Sequence, residues 1–526
     1  MNQTSPKRPG VNQFDQAPTV DINRSTFDLS HPYKTTFDSG NLIPIMIEEI
    51  LPGDSFKVDM TAFTRLATPI HPTMDNLWLE SFFFFVPNRL VWDNWQKFMG
   101  EQDNPGDSTD FTVPTVDAVT PSTEMTIYDY AGMPMKTQVQ PNALPFRAMN
   151  LIWNEWFRDE NLQNSLTVPK GDGPDGVPLY TLQRRGKRKD YFSSCLPWPQ
   201  KGPGVDLPLG TTAPIRTTAN ALGADIHVYR DNNDTLAYEM GTNSTQLQMT
   251  NTGVSAPGNA LYADLTNATA STINDLRMAF QIQKLQERDA RGGTRYTEIL
   301  KSHFLVTSPD ARLQRPEYLG GGKTSVQMHT VPQTSNTAVS GGGEQPTTPQ
   351  GNLSAYGTST ITGHGFTKSF VEHGFAIGFV SVRADLNHQY GLDRFWSRRT
   401  KYDYYWPALQ ALGEQPVYNR EIYNQGTSAD DQVWGYQERW AEYKTRTGKI
   451  TGLFRSNATG TLDPWHYAIS YESAPALDAT WIQDTPPVKR TIAVQNQPEF
   501  LFDAWLSIKA ARPMPTYSVP GYIDHF

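Results

Sequence analysis

Cysteine is nearly absent from this chain, since Cys195 is the single one among 526 residues. An intrachain disulfide is therefore impossible, and nothing points to an oxidising compartment. A nucleophilic thiol needs a lowered pKa, so a buried structural thiol is the simpler expectation for Cys195. The first residues lack the apolar core of a signal peptide, and no apolar run approaches the roughly 20 residues that span a bilayer. These absences predict a soluble protein made in a cytoplasm, without a membrane partner.

Charged residues are also scarce. They make up 19% of the chain, below the roughly 25% of typical globular proteins, whereas aromatic residues reach 12%. Few charges with many aromatics is the composition of proteins that bury surface in interfaces, and equally of a large β-rich carbohydrate-active enzyme or lectin. The formal net charge of −9 argues against a protein that coats nucleic acid over its whole surface. Any contact with DNA must therefore be local.

Catalytic and metal-binding motifs are missing. The chain has no cysteine–histidine cluster, no HExxH or GxSxG motif and no P-loop. The stretch Gly320–Thr324 resembles a phosphate loop only faintly, because Arg315 stands where the first glycine should be, and it is interpreted as a flexible turn. Asp172 and Asp175 lack the further ligands of a calcium loop and are interpreted as a solvated turn. We expect a protein without enzymatic activity, metal or cofactor.

The apolar patterns predict a mainly β protein, punctuated by 39 proline and 39 glycine residues. Helical spacing occurs over 145–163 and 272–304, the latter interrupted at Gly292-Gly293. Two strands joined by a turn are predicted within 42–64. Single strands are predicted over 77–86, 325–331, 375–383, 449–454, 465–470, 490–495 and 499–508. Many strands without a βαβ rhythm indicate a β-sandwich or jelly roll whose helices lie in long connections.

Composition also predicts the domain organisation. Residues 1–24 are polar and are expected to form an extended N-terminal arm, followed by a single domain over 25–526. Residues 201–270 contain no Trp or Phe and are rich in Thr, Asn, Ala and Gly, which is typical of an exposed insertion. Residues 333–365 include SGGGEQPTTPQGN and are predicted to be a flexible loop.

Four consecutive phenylalanines, Phe82, Phe83, Phe84 and Phe85, form the most distinctive stretch. Successive side chains of a strand point to opposite faces, so this strand must be covered on both sides. We expect one face to pack in its own domain and the other to contact a neighbouring subunit.

A basic cluster in this acidic chain contains five cations within six residues. They are Arg184, Arg185, Lys187, Arg188 and Lys189. Tyr191 and Phe192 follow, and cations beside aromatics suit single-stranded nucleic acid through phosphate neutralisation and base stacking. A solvated charge run or an inter-subunit ion-pair contact fits equally well. Lys7-Arg8 in the arm is a second candidate for DNA contact.

The segment 394–406 mixes four cations with six aromatics. Arginine stacked on aromatic rings is typical of protein interfaces as well as of nucleic-acid sites, and we favour a subunit interface. The residues that carry this interpretation are Arg394, Trp396, Arg398, Arg399, Tyr404 and Trp406.

Several long stretches of the chain resemble one known family in the same order. They include RLATPIHPTMDNLWLESFFFFVPNRLVWDNWQKFMGE (65–101), RSTFDLSHPYKTTF (24–37), ALPFRAMNLIWNEWFRDE (143–160), RRGKRKDYFSSCLPWPQKGP (184–203), WSRRTKYDYYWPAL (396–409) and ARPMPTYSVPGYIDHF (511–526). These stretches are similar to the major capsid proteins of the gokushovirus branch of the Microviridae, small icosahedral bacteriophages with circular single-stranded DNA.

The resemblance implies an eight-stranded viral jelly roll with long, partly helical insertions, and self-assembly into a T=1 icosahedral capsid around the DNA genome. It implies a virion protein assembled in the host bacterial cytoplasm. The variable insertion, here 201–270, is implied to project outward and to contact a host surface receptor such as a glycan. Other implied partners are a small basic DNA-binding protein and a minor DNA pilot protein. The family offers no catalytic residues.

Overall fold

The computed structural model describes residues 23–119, 123–205, 273–310, 314–334 and 351–517, together with the backbone of short strands between 206 and 272. The predicted arm, with Lys7 and Arg8, lies outside the described residues except for its last two. The chain forms two compact units, one from residues 1–199 and 293–526 and the other from 200–292.

The strands are β1 Ser25–Asp28, β2 His31–Phe37, β3 Ile43–Ile50, β4 Ser55–Leu66, β5 Leu77–Pro87, β6 Ile215–Thr217, β7 Ile226–Val228, β8 Tyr238–Asn243, β9 Gln246–Asn251, β10 Leu261–Ala263, β11 Glu317–Pro332, β12 Leu353–Ser369, β13 Gly374–Ala384, β14 Glu414–Tyr418, β15 Val433–Glu438 and β16 Phe500–Arg512. The α-helices are α1 Trp95–Phe98, α2 Ile127–Tyr130, α3 Leu144–Ile152, α4 Ile273–Gly292, α5 Tyr296–Phe304, α6 Asn419–Ile422 and α7 Ala441–Lys444. The smaller unit contains β6 to β10 and α4.

One antiparallel sheet dominates the larger unit and curls on itself. Its strand order is β1/β2, β16, β4, β12, β11, β5, β13, β3, in which β1 and β2 share one edge position beside β16. The first half of β11, Glu317–Val326, pairs with β5, and its last part, Gln327–Pro332, pairs with β12. Because β11 passes from one half-sheet to the other, the eight positions form the predicted jelly roll.

The main core fills the space between the two half-sheets. The alternating strands β4 and β16 supply one wall, and β3, β5 and β13 supply the other. Its buried members include Phe37, Ile43, Ile45, Phe56, Met60, Leu79, Phe83, Phe85, Ile361, Val380, Phe500 and Ile508. Period-two alternation in β4 and β16 is the pattern of strands that bury one face and expose the other.

The structure corrects several local predictions. Residues 449–454, 465–470 and 490–495 form loops with short 3₁₀ turns instead of strands, since single buried residues such as Ala468 and Ile492 imitate strand alternation. The flexible loop predicted over 333–365 is wrong from Leu353 onward, because β12 begins there.

The prediction of a flexible turn at Gly320–Thr324 is wrong, because these residues lie inside β11. A Cβ atom on Gly320 would approach the Gly365 carbonyl oxygen to 2.4 Å, so the glycine permits close backbone approach.

Candidate functional site

The phenylalanine-rich strand β5 is covered on both faces by its own chain. Phe83 and Phe85 point into the main core, whereas Phe84 packs on the opposite face against Trp156 and Phe157, with ring centroids 5.5 and 5.7 Å away. Phe82 is half-buried against Phe157 at 5.3 Å. The prediction that the second face of this strand contacts a neighbouring subunit is therefore wrong, because a long excursion of the same chain occupies that position.

This excursion, residues 88–180, is called the covering segment. Its centre is α3, which has Pro145 in its first turn and continues as one π-helical turn, Trp153–Phe157. The second core lies between this helix and the outer face of β5 and β13. Its buried members include Phe84, Val86, Phe146, Met149, Ile152, Trp153, Phe375, Ile377 and Phe379. The helical spacing of Phe146, Met149 and Ile152 correctly predicted that these residues share one side of α3.

A buried ion pair fixes the covering segment. Arg147 of α3 donates two hydrogen bonds of 2.7 Å to the carboxylate of Asp175, and both side chains are almost fully buried. The Tyr180 hydroxyl donates to the same carboxylate at 2.5 Å, and Arg147 also donates to the Val91 carbonyl at 3.0 Å. The prediction of a solvated turn at Asp175 is wrong, because its partner on α3 removes it from water.

The basic cluster 184–189 lies largely inside the protein. Arg185 and Arg188 both donate to the carboxylate of Glu80 on β5, and Arg383 on β13 donates to it at 2.9 Å. Arg185 also stacks over the Phe82 ring, 4.6 Å from its centroid. Burial would raise the pKa of Glu80, but the neighbouring guanidinium groups, Arg185 and Arg383 foremost, outweigh it and lower the pKa to about 2.

Lys187 points into a second buried part of the same network. Its ammonium donates to the carbonyl oxygens of Trp481 and Gln483, and the Asp484 carboxylate lies close enough to interact with it. Burial lowers the pKa of Lys187 to about 8 and raises the pKa of Asp484 to about 6. The cluster therefore ties the loop around 484 to the jelly roll.

The remaining members complete this internal role. Arg184 donates to the carbonyl of Asp484, and Lys189 pairs with Asp159 at 2.6 Å, although its side chain is 63% exposed. Tyr191 and Phe192, expected as stacking residues, are buried. Arg185 and Lys187 are therefore unavailable to DNA, because they are buried and neutralise a carboxylate and carbonyls of the same chain. Contact of the exposed Lys189 with DNA stays a prediction.

The aromatic segment 394–406 behaves differently. Arg394 donates to Glu421 at 3.1 Å, and Arg398 donates to Glu442 at 3.4 Å while lying over the Tyr443 ring at 4.2 Å. These arginines hold the segment on the protein, and the aromatic rings around them remain on the outside. The exposed rings belong to Trp396, Tyr402, Tyr404, Tyr405 and Trp406, each 45–61% exposed. We call these five residues the aromatic surface.

Cations line the space beside the aromatic surface. A surface cavity of about 360 Å³ is bordered by Arg394, Arg398, Arg399, Arg420 and Arg439, together with the acids Asp403, Glu421, Asp431 and Glu442. Arg439 donates to the Tyr402 carbonyl at 3.3 Å, and Arg399 donates to the carbonyls of Trp396 and Arg398. This arrangement presents rings and arginines together, as binding hot spots do.

Features that would support catalysis are weak. Burial raises the pKa of the Cys195 thiol well above its usual value, which opposes a nucleophilic role. Among the described residues, no group of three or more His, Cys, Asp or Glu side chains could hold a metal ion, and no helix is long and apolar enough to cross a membrane.

Comparison with known proteins gives one consistent answer. The family model described as capsid protein (F protein) matches residues 15–522. The chain is 47% identical to capsid protein VP1 of Bdellovibrio phage phiMH2K, covering 99% of both chains. It is 42% identical to capsid protein VP1 of Chlamydia phage 1, covering 98% of both, and 37% identical to capsid protein VP1 of Spiroplasma virus 4, covering 97% of both.

These relatives are structural proteins of gokushovirus-type phages and not enzymes, so the alternative of a carbohydrate-active enzyme or lectin is wrong. The family match covers every strand of the jelly roll, from Ser25 to Arg512. The chain belongs to the capsid protein (F protein) family of the Microviridae and is a major capsid protein.

Proposed function

We propose that this capsid protein assembles into a T=1 icosahedral shell that encloses circular single-stranded DNA, and that the aromatic surface is one of its subunit contacts. Five large rings exposed on one loop segment carry the second part of the proposal. Exposed Trp and Tyr beside arginine are the residues that dominate protein interfaces once they are desolvated. The candidate contacts are Arg394, Trp396, Arg398, Arg399, Tyr404 and Trp406.

The arginines and the rings have separate parts in this contact. Arg394 and Arg398 are already paired with Glu421 and Glu442, so they hold the segment in place before assembly. Trp406 is 51% exposed, and its indole donates to the Lys401 carbonyl at 2.9 Å, which orients the ring before a neighbour arrives. A ring that is ordered in the free subunit loses little conformational freedom on binding.

The test compares Trp406→Ala with Trp406→Phe, and Tyr404→Ala with Tyr404→Phe. Particle formation is followed by sedimentation and by electron microscopy. We expect both alanine variants to yield folded subunits that assemble poorly, and both phenylalanine variants to assemble nearly as the parent chain does. If the alanine variants form particles with unchanged yield and stability, the aromatic surface is not a subunit contact.

The remaining partners belong to the same proposal. Residues 201–270 are proposed to form an exposed insertion that contacts a host surface receptor such as a glycan. The proposal also includes a small basic DNA-binding protein, a minor DNA pilot protein, contact of Lys7 and Arg8 with DNA, and assembly in the host bacterial cytoplasm. Replacing 201–270 by a short Gly/Ser linker should leave a folded, assembling subunit and abolish attachment to the host. A subunit that unfolds after this deletion would show that the segment belongs to the core.

A further inference from the structure

The two half-sheets of the jelly roll differ in what covers them. The covering segment and its second core lie on the outer face of β5 and β13. Within the larger unit, no described segment covers the outer face of β2, β16, β4 and β12. On β4 the residues of that face, from Lys57 to Arg65 at every second position, are all exposed, and those of β16 from Leu501 to Lys509 are exposed or half-buried. We call this surface the open sheet face.

Three large apolar side chains lie together on the open sheet face. Phe63 is 49% exposed, Leu501 51% and Trp505 50%. In the register of β4 and β16, Phe63 stands opposite Asp503, so Leu501 and Trp505 are its two diagonal neighbours. Diagonal neighbours in a sheet lie about 7–8 Å apart, within reach of aromatic side chains. The three therefore form one apolar patch on a flat surface.

The charges around this patch are positive on balance. The open sheet face carries Lys34, Lys57, Arg65 and Lys509 against Asp59 and Asp503, with Asp28 of the adjoining β1 at its border, so four cations stand against three acids in a chain whose net charge is −9. Lys34 pairs with Asp503 at 2.7 Å, and Lys509 pairs with Asp28.

Lys57 and Arg65 have no carboxylate within ion-pair distance in the part of the chain that the structure describes. They stand at the two ends of the exposed row on β4, about 26 Å apart at roughly 3.3 Å per residue. The patch therefore lies along a strand with a free cation at each end.

These features fit single-stranded nucleic acid better than a second protein surface. The centre of a protein interface is depleted in charge, yet Asp503 lies between Leu501 and Trp505, where Lys34 of the neighbouring β2 pairs with it. Bases stack on flat, half-exposed rings without requiring a deep pocket, and phosphates are neutralised by free cations at the margins. A four-stranded sheet that presents aromatic rings is an established way to stack bases.

We propose that the open sheet face lines the inner side of the shell and binds the single-stranded genome. Phe63 and Trp505 stack on bases, Leu501 packs beside Phe63 on the side away from Trp505, and Lys57 and Arg65 contact phosphates. The inference rests on the proposed function, since it requires a shell that encloses single-stranded DNA. It supplies the local DNA contact that the acidic composition requires and that the buried Arg185 and Lys187 cannot provide.

The first test is ultraviolet cross-linking of the purified chain to an oligo(dT) of about 30 nucleotides, longer than the ~4–16 nucleotides that a single binding fold occupies. Digestion with trypsin separates the two strands, because β4 yields Val58–Arg65 and β16 yields a peptide ending at Lys509. We expect the nucleotide on Phe63 and Trp505. Cross-links confined to other peptides, or no binding of oligo(dT), would overturn the inference.

The second test measures the affinity for oligo(dT) in variants of the face. Phe63→Ala and Trp505→Ala should each weaken binding by about five- to 150-fold, the range expected for one lost base–aromatic stack. The double variant Lys57→Gln with Arg65→Gln should reduce the slope of log affinity against log salt by about 1.4, for two lost phosphate contacts. The controls Phe304→Ala and Lys170→Gln, which remove exposed residues elsewhere, should change neither quantity.

Particle formation by the same variants separates this inference from the proposed function. If the parent chain forms particles and the variants assemble normally but bind DNA as the parent does, the open sheet face is not the DNA contact and the capsid proposal stands. If the variants of the face fail to assemble without any DNA present, the face is a contact with a second copy. If the parent chain forms no particles under any condition, the proposed assembly fails instead.

Discussion

Replacing Asp175 by Asn should destabilise the subunit more than any exposed charge substitution in this chain. The change removes the counter-charge of the Arg147 guanidinium, and this side chain is fully buried and out of reach of water. Removing one partner of such a pair costs about 3–5 kcal/mol, because the remaining charge is neither solvated nor paired. The Tyr180 hydroxyl also exchanges a carboxylate acceptor for a neutral one, which adds to the loss.

The assay is urea unfolding of disassembled subunits, with the free energy of unfolding compared between variants. Asp503→Asn is the matched control, since the Lys34–Asp503 pair has the same 2.7 Å separation but side chains that are 70% and 55% exposed. Its loss should cost less than about 1 kcal/mol. The double variant Arg147→Met with Asp175→Leu should recover most of the stability, because no unpaired charge is left. A cost below about 1 kcal/mol for Asp175→Asn alone would refute the reasoning.

Two further predictions concern the core and the internal charge network. Phe84→Ala should cost about 3–5 kcal/mol in the same assay, because the ring is buried among four aromatic neighbours, whereas a cost near 1 kcal/mol would show that the second core collapses around the gap. Asp484 has a pKa raised to about 6 by burial, so the native state takes up a proton there before the unfolded state does, and the contribution of Asp484 to stability should rise as pH falls from 7 to 5. His364, whose pKa burial lowers, contributes in the opposite direction, so the comparison is between the parent and the variant. Asp484→Asn should lose that rise. Glu80 should not mask the effect, because its lowered pKa changes stability only below about pH 4.5. An unchanged pH profile in the variant would show that another group titrates between pH 7 and 5.

The strands with strong alternation were predictable, because burial of one face imposes a period of two on β4 and β16. The strand β12 was not, since its buried positions include Ala355 and Ser359, and small or hydroxyl-bearing residues give no hydrophobic signal. The glycines of β11 imitate a loop for the same reason. In both strands, packing against a close neighbour determines the structure and local propensity does not.

The role of the basic cluster could not be predicted from its own residues. Glu80 lies 105 residues before Arg185 in the chain, and the carbonyls that bind Lys187 lie almost 300 residues after it. A run of cations has the same sequence whether it faces phosphate or a buried carboxylate. The open sheet face was not predicted either. The inward residues of β4 and β16 indicated strands, whereas Phe63 and Trp505 occupy outward positions that the alternation assigns to solvent.

The curled sheet leaves few places where another backbone could add a strand. Its outer strands are β1/β2 at one end and β3 at the other, among the strands described for this sheet. Pro32 and Pro44 stand in these two edges, where a residue without an N–H group cannot support continued pairing. Many copies of a shell protein must gather at high local concentration without forming cross-β aggregates. A proline in each edge strand disfavours the addition of a further strand there, so side-chain complementarity is the favoured route to association and a bounded shell is favoured over an open-ended fibre.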